Sequence, residues 1–303
     1  MSAVVRPALV VRTTWAKKTN AYMALTKPRI IEQLLITTVP AMVLAQRGLP
    51  DLWLILATIV GGTLAAGGAS AVNMWYDRDI DAVMKRTANR PLVQGTLTAR
   101  EALIFGITLE LVAALWLAEF VNPLSSVLAV SGALFYIFVY TIWLKRSSPA
   151  NIVIGGAAGA VPVLVGWAAV VNRIDIAPMV MFAIIFFWTP PHFWALAFKY
   201  RSDYVSAKVP MLPAVASDRY TTLQIFAYTV LLWALSLLLT PLAQMGWFYG
   251  ISAVVLGGIF TMLAVQLMRD HSEQRAMRLF HYSITYVTLL FSAVAVDQFV
   301  HFS

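Results

Sequence analysis

Nine long apolar runs constrain the fold of this 303-residue chain more than any other feature of its sequence. A membrane-spanning helix needs about 17–25 predominantly apolar residues. Runs of that kind occur at 30–47, 52–74, 100–120, 124–144, 150–171, 176–198, 221–241, 246–267 and 281–301. The sequence therefore predicts an all-α, polytopic membrane protein in which nine helices form a bundle.

The composition supports the same class. Hydrophobic residues make up 60% of the chain and charged residues only 12%, about half the charge of a soluble protein. The absence of cysteine excludes disulfides, thiolate catalysis and cysteine-ligated zinc or iron–sulfur sites. We expect a basic cytoplasmic segment at 1–29 and a single transmembrane domain at 30–303.

The basic residues predict the orientation of the bundle. With the N-terminus inside, every one of the 22 lysines and arginines except Arg47 and Arg173 lies on a cytoplasmic segment. The net charge of +8 therefore indicates membrane topology and contact with anionic lipid rather than binding of nucleic acid. This predicts a cytoplasmic N-terminus and an outer C-terminus, most economically in a bacterial inner membrane. The longer segments 75–99 and 199–220 then face the cytoplasm.

Polar residues recur every four positions where the second apolar run ends, at Asn73, Asp77 and Asp81. On a helix these side chains share one face, whereas Asp79 points away from it. Clustered acids beside lipid are costly unless a positive group compensates them. Mg²⁺ fits because it prefers carboxylate oxygens and commonly shares its shell with phosphates. The competing interpretation is a solvated helix end.

Basic residues follow this motif, and a second polar loop resembles the first in layout. Arg90-Pro91-Leu92 follows the aspartates, and Pro210-Met211-Leu212-Pro213 follows Asp203 four spans later. Both segments lie at cytoplasmic helix ends. We therefore expect the two loops to lie over one cavity, with Lys85, Arg86, Arg90, Lys199, Arg201 and Lys208 available to phosphate groups.

Ionisable residues inside apolar runs are functional candidates by default, and His192, Glu32 and Glu110 are residues of this kind. His192 follows a pair of prolines and is flanked by Trp188 and Phe193, which suit a flat macrocycle. The competing interpretation of this histidine is a purely structural hydrogen bond inside the bundle. Glu32 and Glu110 receive no assigned role.

Four segments of the chain resemble one known family. Asn73-x-x-x-Asp77-x-x-x-Asp81 is similar to the first aspartate-rich motif of the UbiA superfamily of intramembrane prenyltransferases. The closer resemblance is to the branch of that superfamily that farnesylates haem. It is carried by the segments 26–30, 77–92, 191–196 and 203–213, and it extends over about 22–300.

The resemblance implies a nine-helix UbiA-type bundle with a cytoplasm-facing active site that uses Mg²⁺ to bind farnesyl diphosphate. Haem B is the implied acceptor, through a vinyl group, followed by addition of water. The implied catalytic residues are Asp77, Asp81, Lys85 and Arg86. The implied diphosphate ligands are Asn73, Arg90, Lys199, Arg201 and Lys208. The implied metal ligands are Asn73, Asp77, Asp81 and Asp203. His192 is the haem-binding candidate, and if haem is the acceptor, iron ligation, propionate binding and a purely structural role all remain open for it. Association with haem A synthase or with terminal oxidase assembly is expected from the resemblance alone.

Two departures from the family pattern and three rival functions accompany this hypothesis. Ser202 replaces an acid before Asp203, and Lys208 replaces a glycine, so we expect the first motif to carry most of the metal binding. A prenyltransferase for an aromatic or quinone precursor would share that motif without needing the segment around His192. A transporter would place its acids near the bilayer midplane. A haem chaperone would need the histidine but not the aspartates.

Overall fold

The computed structural model describes residues 15–300, with backbone only at 29–31 and 33–35. Every regular element in this part of the chain is helical. The α-helices are α1 (Trp15–Leu25), α2 (Pro28–Gln46), α3 (Leu52–Tyr76), α4 (Arg78–Val83), α5 (Ala99–Phe120), α6 (Pro123–Leu134), α7 (Lys145–Ser147), α8 (Asn151–Val171), α9 (Ile176–Lys199), α10 (Arg201–Ser206), α11 (Leu212–Val215), α12 (Asp218–Leu242), α13 (Trp247–Asp270) and α14 (Glu273–Val300). A 3₁₀ turn (Lys85–Thr87) and a π-helix (Phe135–Leu144) complete the list.

Eight helices in the described part of the chain are long and apolar enough to cross a membrane. One of them is the continuous segment Pro123–Ser147, which joins α6, the π-helix and α7. The first predicted span, 30–47, falls on α2, a 19-residue helix whose side chains are described continuously only over the apolar stretch Ile36–Gln46. The predicted number of nine spans is therefore not confirmed.

Local sequence signals explain where several spans begin. The Asp51 carboxylate accepts a 3.1 Å hydrogen bond from the Leu54 amide at the start of α3. Thr98 and Glu101 form a reciprocal capping box at the start of α5. Each cap satisfies backbone amides that the first turn of a helix leaves without a partner. The predicted starts at 52 and 100 consequently lie within one residue of the observed ones.

Helices α3 and α5 pack closely through glycine. A Cβ added at Gly68 would lie 2.8 Å from the Gly106 carbonyl oxygen, and one added at Gly106 would lie 3.0 Å from the Gly68 carbonyl oxygen. Small residues give this close approach inside a membrane, where van der Waals packing is the main attraction between helices. The contact holds α3 in place, and the C-terminal end of α3 carries the aspartate motif.

The π-helix between α6 and α7 is a structural feature that the apolar pattern did not predict. It runs for 10 residues, Phe135–Leu144, although such helices are rare and are usually a single turn long. Its wider winding changes the direction of the side chains near the C-terminal end of this span. Thr141, which lies on it, is fully buried against α3.

A helix also forms within the predicted N-terminal segment. Helix α1 packs on α3 and α5, where Lys18 forms an ion pair with Glu101 (2.8 Å) and the Tyr22 ring lies 4.9 Å from the Phe105 ring. Trp15 remains exposed. Residues 1–14 of the predicted basic segment lie outside the described residues. Residues 301–303, at the predicted outer terminus, also lie outside them.

Candidate active site

The three residues of the first motif lie together at the C-terminal end of α3, although the helix does not run straight through them. Helix α3 ends at Tyr76, Asp77 takes a bent conformation (φ −83°, ψ 2°), and α4 begins at the next residue. Helical hydrogen bonds nevertheless continue from the Asp77 amide to the Asn73 carbonyl (2.9 Å) and from the Asp81 amide to the Asp77 carbonyl (2.8 Å). Asn73, Asp77 and Asp81 are at most 2% exposed, so the polar stripe faces the protein interior.

Asp77 is fully buried and surrounded by donors. The Lys145 ammonium pairs with its Oδ2 atom, and the Arg146 guanidinium lies 3.5 Å from its Oδ1 atom. The side-chain amide of Asn73 donates to Asp77 Oδ2 at 2.7 Å. A buried carboxylate is stable only when it is paired and hydrogen-bonded in this way.

Asn73 connects three parts of the chain. Its Nδ2 atom donates to Thr141 Oγ1 on the π-helix at 3.1 Å as well as to Asp77. Its Oδ1 atom accepts from Lys27, which lies between α1 and α2, at 3.3 Å. Desolvation, reinforced by the charges of Arg90 and Lys145, lowers the pKa of Lys27 to about 7.

Asp81 pairs with a residue from the basic segment that follows it. Arg90 Nη1 lies 2.5 Å from Asp81 Oδ2, with Asp81 3% and Arg90 17% exposed at the side chain. The Thr87 hydroxyl donates to the Asp81 carbonyl oxygen at 2.8 Å and holds the 3₁₀ turn against α4. Arg90 is therefore positioned beside the carboxylate by local chain folding.

Asp79 lies apart from the buried stripe, with 61% of its side chain exposed. Both of its oxygens accept from Arg146 at 2.7 Å, and the Arg146 guanidinium also lies 4.8 Å from the centre of the Tyr76 ring. This bidentate hydrogen bonding lowers the pKa of Asp79 to about 2. Asp79 thus helps to hold Arg146 in place.

The structure brings the two polar loops together. The buried Asp203 carboxylate accepts from the backbone amide of Arg86 at 3.0 Å. The Arg86 guanidinium lies over the rings of Tyr200 (5.7 Å) and Tyr204 (6.0 Å). The loops after α3 and α9 are therefore in direct contact, as the sequence layout predicts.

The other predicted basic residues make no hydrogen bond or ion pair with the buried carboxylates in the described part of the chain. Arg201 pairs with Asp218 at the start of α12. Lys199 is exposed, and its ammonium lies 5.9 Å from the centre of the Tyr200 ring. Lys85 and Lys208 are also exposed. Of the predicted basic residues, Arg90 and Arg86 have the closest described contacts with the predicted metal ligands.

The backbone explains why glycine suits position 208. Lys208 has a φ of 53°, in the left-handed region that L-amino acids with a side chain rarely adopt. It follows α10, and the Val209 amide bonds back to the Tyr204 carbonyl at 2.9 Å, which closes the end of that helix. The departure from the family pattern at this position therefore puts strain into a helix end.

Sequence reasoning missed Lys27, Thr141 and Lys145 as members of this cluster. In the sequence, Lys145 served only to indicate topology. Lys27 belongs to the segment 26–30 that resembles the family, and no role was assigned to it. Their contacts depend on how α2, α3 and the π-helix pack, and periodicity within one helix does not show this. Two adjacent basic residues at the cytoplasmic end of a span were the available signal.

The donors of the first motif suit a hard dication in kind, since Asn73, Asp77 and Asp81 offer buried oxygen atoms. Within residues 15–300, however, no three histidine, aspartate or glutamate side chains are grouped as a metal site. One oxygen of Asp203 accepts from the Arg86 amide, and the set of four metal ligands stays a prediction. A metal ion on the first motif would compete with Lys145 and Arg90 for carboxylate oxygens.

His192 lies in α9, seven residues and about 10 Å before the helix ends. Its Nδ1 atom is 2.7 Å from the Ser283 hydroxyl on α14. The ring stacks on Trp188 (4.3 Å between centroids, 22° between planes) and approaches Phe280 at 4.7 Å and Phe193 at 5.1 Å. The aromatic surroundings predicted for this histidine are therefore present.

The acids Glu32 and Glu110, inside the predicted spans, lie outside both the aspartate cluster and the aromatic surroundings of His192. Glu32 is exposed on α2. Glu110 is half-buried against Gly68 at the contact between α3 and α5, and its Oε1 atom has no hydrogen-bond partner in the described part of the chain. Neither acid contacts the motif aspartates in the described structure.

Comparison with known proteins identifies the family. Residues 34–290 match the model of the UbiA prenyltransferase family. The protoheme IX farnesyltransferase of Clavibacter sepedonicus is 52% identical over 290 residues, covering 95% of each chain. That of Frankia alni is 53% identical over 286 residues, covering 93% of this chain and 99% of the relative. That of Streptomyces coelicolor is 49% identical over 308 residues, covering 97% and 98%.

Solved structures have the same fold. A digeranylgeranylglyceryl phosphate synthase structure matches with a TM-score of 0.77 and 18% identity, covering 93% of this chain and 99% of that one. A UbiA homologue from Archaeoglobus fulgidus bound to GPP and Mg²⁺ matches with a TM-score of 0.65 and 16% identity, covering 91% and 99%. These matches confirm the predicted all-α, UbiA-type membrane fold.

Proposed function

This chain belongs to the UbiA prenyltransferase family, and we propose that it is a haem O synthase. It transfers the farnesyl group of farnesyl diphosphate to a vinyl group of haem B, with addition of water, and releases haem O and diphosphate. Relatives about half identical over nearly their whole length, all named protoheme IX farnesyltransferase, support this substrate pair. The structural observation that carries the proposal is the buried pair Asp77 and Asp81, each beside a basic partner at the end of a membrane helix.

Mg²⁺ is the cofactor, held by Asn73, Asp77 and Asp81, and Asp203 supports the loop that faces them. When bound, the ion supplies positive charge that stabilises the leaving diphosphate. The donor chemistry of the first motif suits this ion. A fold neighbour bound to GPP and Mg²⁺ is consistent with divalent metal use in this family.

The basic residues around the motif bind the diphosphate. Lys27, Arg90 and Lys145 converge on the carboxylates in the described structure, within hydrogen-bond reach of Asn73, Asp81 and Asp77. Arg86 lies on the adjoining loop and is exposed enough to reach an anion. Lys85, Lys199, Arg201 and Lys208 are exposed or partly exposed at the cytoplasmic side, where they raise the local concentration of an anionic substrate.

These residues act on the bond that breaks. The allylic C–O bond of farnesyl diphosphate lengthens, and negative charge develops on the departing diphosphate. Groups that bind this developing charge more strongly than the ground state lower the barrier. The terminal vinyl carbon of haem then forms a carbon–carbon bond to the farnesyl C1 atom. Water adds to the resulting cation and loses a proton, which leaves a hydroxyethylfarnesyl group.

The bundle separates the two halves of the substrate. The farnesyl chain lies among apolar helices, while the diphosphate stays at the polar mouth. We place that mouth and the N-terminus on the cytoplasmic side of a bacterial inner membrane, and the C-terminus on the outer side. The whole of 30–303 forms one catalytic domain, and association with haem A synthase or terminal oxidase assembly follows from the same function.

The test is to incubate purified protein with haem B, farnesyl diphosphate and Mg²⁺ and to detect haem O by mass. We expect product with wild type, none with Asp77→Ala or Asp81→Ala, and none after chelation of Mg²⁺. Prenylation of an aromatic or quinone precursor in place of haem would refute the proposed acceptor. Wild-type turnover in either aspartate variant would refute the metal assignment, and absence of any product would favour a transporter or haem chaperone.

A further inference from the structure

We infer that Ser283 positions His192 so that its Nε2 atom ligates the iron of the haem substrate. The inference rests on the proposed function, because it requires haem to be the acceptor. It concerns how the macrocycle is held, and it distinguishes iron ligation from propionate binding. Ser283 is a positioning residue in this arrangement, since it acts through the imidazole ring.

The proton on the Ser283 hydroxyl determines the tautomer of His192. Ser283 Oγ lies 2.6 Å from the Phe280 carbonyl oxygen, which can only accept. A hydroxyl has a single proton, so Oγ donates to that carbonyl. Oγ must therefore accept at its other contact, the 2.7 Å approach of His192 Nδ1. The neutral ring thus carries its proton on Nδ1.

This tautomer leaves a lone pair on Nε2. No hydrogen bond to Nε2 is present within the described part of the chain, and the ring is half-buried rather than fully enclosed. Histidines that ligate metals characteristically donate their other ring N–H to a protein acceptor, which fixes the orientation of the ring. The contact between His192 and Ser283 has this form, with a serine hydroxyl as the acceptor.

The same geometry disfavours a propionate. A carboxylate needs a donor, and Nε2 without a proton does not supply one. Protonating it would place a positive charge among Trp188, Phe193 and Phe280, where the described contacts of the ring include no carboxylate. A neutral ring that offers a lone pair to iron avoids this charge.

Packing holds the ring in one orientation. Trp188 stacks at 22° to the imidazole plane and donates its own Nε1–H to the Ser283 carbonyl at 2.7 Å. Phe280 lies 4.7 Å from the ring. Ser283 is fully buried, and Trp188 is 3% exposed. A hydrogen bond at one edge and aromatic contacts on the ring together leave the Nε2 edge as the position for a ligand.

The test titrates ferric haem B into the purified full-length protein in detergent and follows the Soret band. Metal-free protoporphyrin IX serves as the matched probe, because it has the same ring and propionates but no iron. We expect Ser283→Ala to weaken haem binding by about 10-fold or more, the usual effect of removing a partner of a ligating histidine. Ser283→Thr, which keeps a hydroxyl, should retain most of the affinity. Protoporphyrin binding should change less than about 2-fold in each variant.

The histidine itself is tested by two variants. His192→Ala should lose the nitrogen-ligated Soret band and regain it with added imidazole, while His192→Phe keeps an aromatic ring in the stack and should lose the band without rescue. Ser252→Ala is the control, since within the described residues that hydroxyl donates to the Phe248 carbonyl of its own helix, at 2.8 Å, and to no other helix. It should bind haem as wild type does.

The outcomes separate this inference from the proposed function. An unchanged Soret band in His192→Phe, or an equal loss of haem and protoporphyrin binding in Ser283→Ala, would overturn iron ligation even if wild type forms haem O. Conversely, wild type that ligates haem through His192 but forms no haem O would overturn the proposed function alone. An unfolded His192→Ala leaves the decision to His192→Phe and Ser283→Ala.

Discussion

Replacing Lys145 with methionine tests whether the basic cluster stabilises a buried charge. Asp77 has no exposed surface, and its Oδ2 atom pairs with the Lys145 ammonium. Methionine keeps most of the length and volume of the side chain but removes the charge. The carboxylate would then keep the Asn73 amide at 2.7 Å and the Arg146 guanidinium at 3.5 Å.

The size of the effect follows from these contacts. Removing one partner of a buried ion pair costs roughly 3–5 kcal/mol of stability, because an uncompensated charge stays behind. Arg146 still attracts Asp77 with about 5 kcal/mol at an effective dielectric constant of about 20. The side chain of Lys145 is also 15% exposed, which weakens its own contribution. We therefore expect the lower end, about 3 kcal/mol.

A double-mutant cycle isolates the charge. Asp77→Asn removes the buried carboxylate, so Lys145→Met should cost less in that background, with a coupling of about 2 kcal/mol. Unfolding is measured by denaturing-detergent titration in mixed micelles, with fluorescence from the ten tryptophans. Lys85→Met is the matched control, because that lysine is exposed, and it should change stability by less than about 0.5 kcal/mol. Equal stability of the two methionine variants, or no coupling with Asp77→Asn, would refute the reasoning.

Three further predictions follow from exposure and backbone geometry. Asp81→Asn should lower haem O formation by about 100-fold or more, because Asp81 lies in the buried stripe. Asp79→Asn should lower it less than about 5-fold, because Asp79 lies outside that stripe. Similar losses in the two variants would contradict this. Lys208→Gly should raise the free energy of unfolding by about 0.5–1 kcal/mol by relieving the left-handed backbone, and destabilisation would argue against strain. Lys18→Met should leave the midpoint of unfolding close to that of wild type, because the ion pair of Lys18 with Glu101 is partly exposed; a clear loss of stability would show that α1 docking depends on this pair.

Much of the fold could be predicted because a membrane makes hydropathy decisive. The runs at 52–74, 150–171 and 176–198 match α3, α8 and α9 within two residues at each end. The first run falls on α2 (Pro28–Gln46), where side chains are described continuously only from Ile36 onwards, so this span stays a prediction. The π-helix could not be predicted, because a change from i+4 to i+5 hydrogen bonding leaves no mark in an apolar segment.

The candidate site could be predicted in part. The spacing of Asn73, Asp77 and Asp81 placed them on one face because the helical hydrogen bonds continue through the bend at Asp77. Lys27 and Lys145 approach that face from other helices, and only packing decides such contacts. The partner of Asp203 could not be predicted for another reason. It is a backbone amide, and every residue except proline has one.

Arg86 contacts Asp203 through its backbone amide, so the role of this amide can be measured separately from that of the Arg86 guanidinium. Substituting Arg86 with any residue except proline removes the guanidinium and leaves the amide donor in place. Side-chain variants there report on charge at the mouth of the bundle, while Arg86→Pro or a change at Asp203 reports on how the two loops are joined. One position thus allows recognition of the anion and assembly of the pocket to be measured independently.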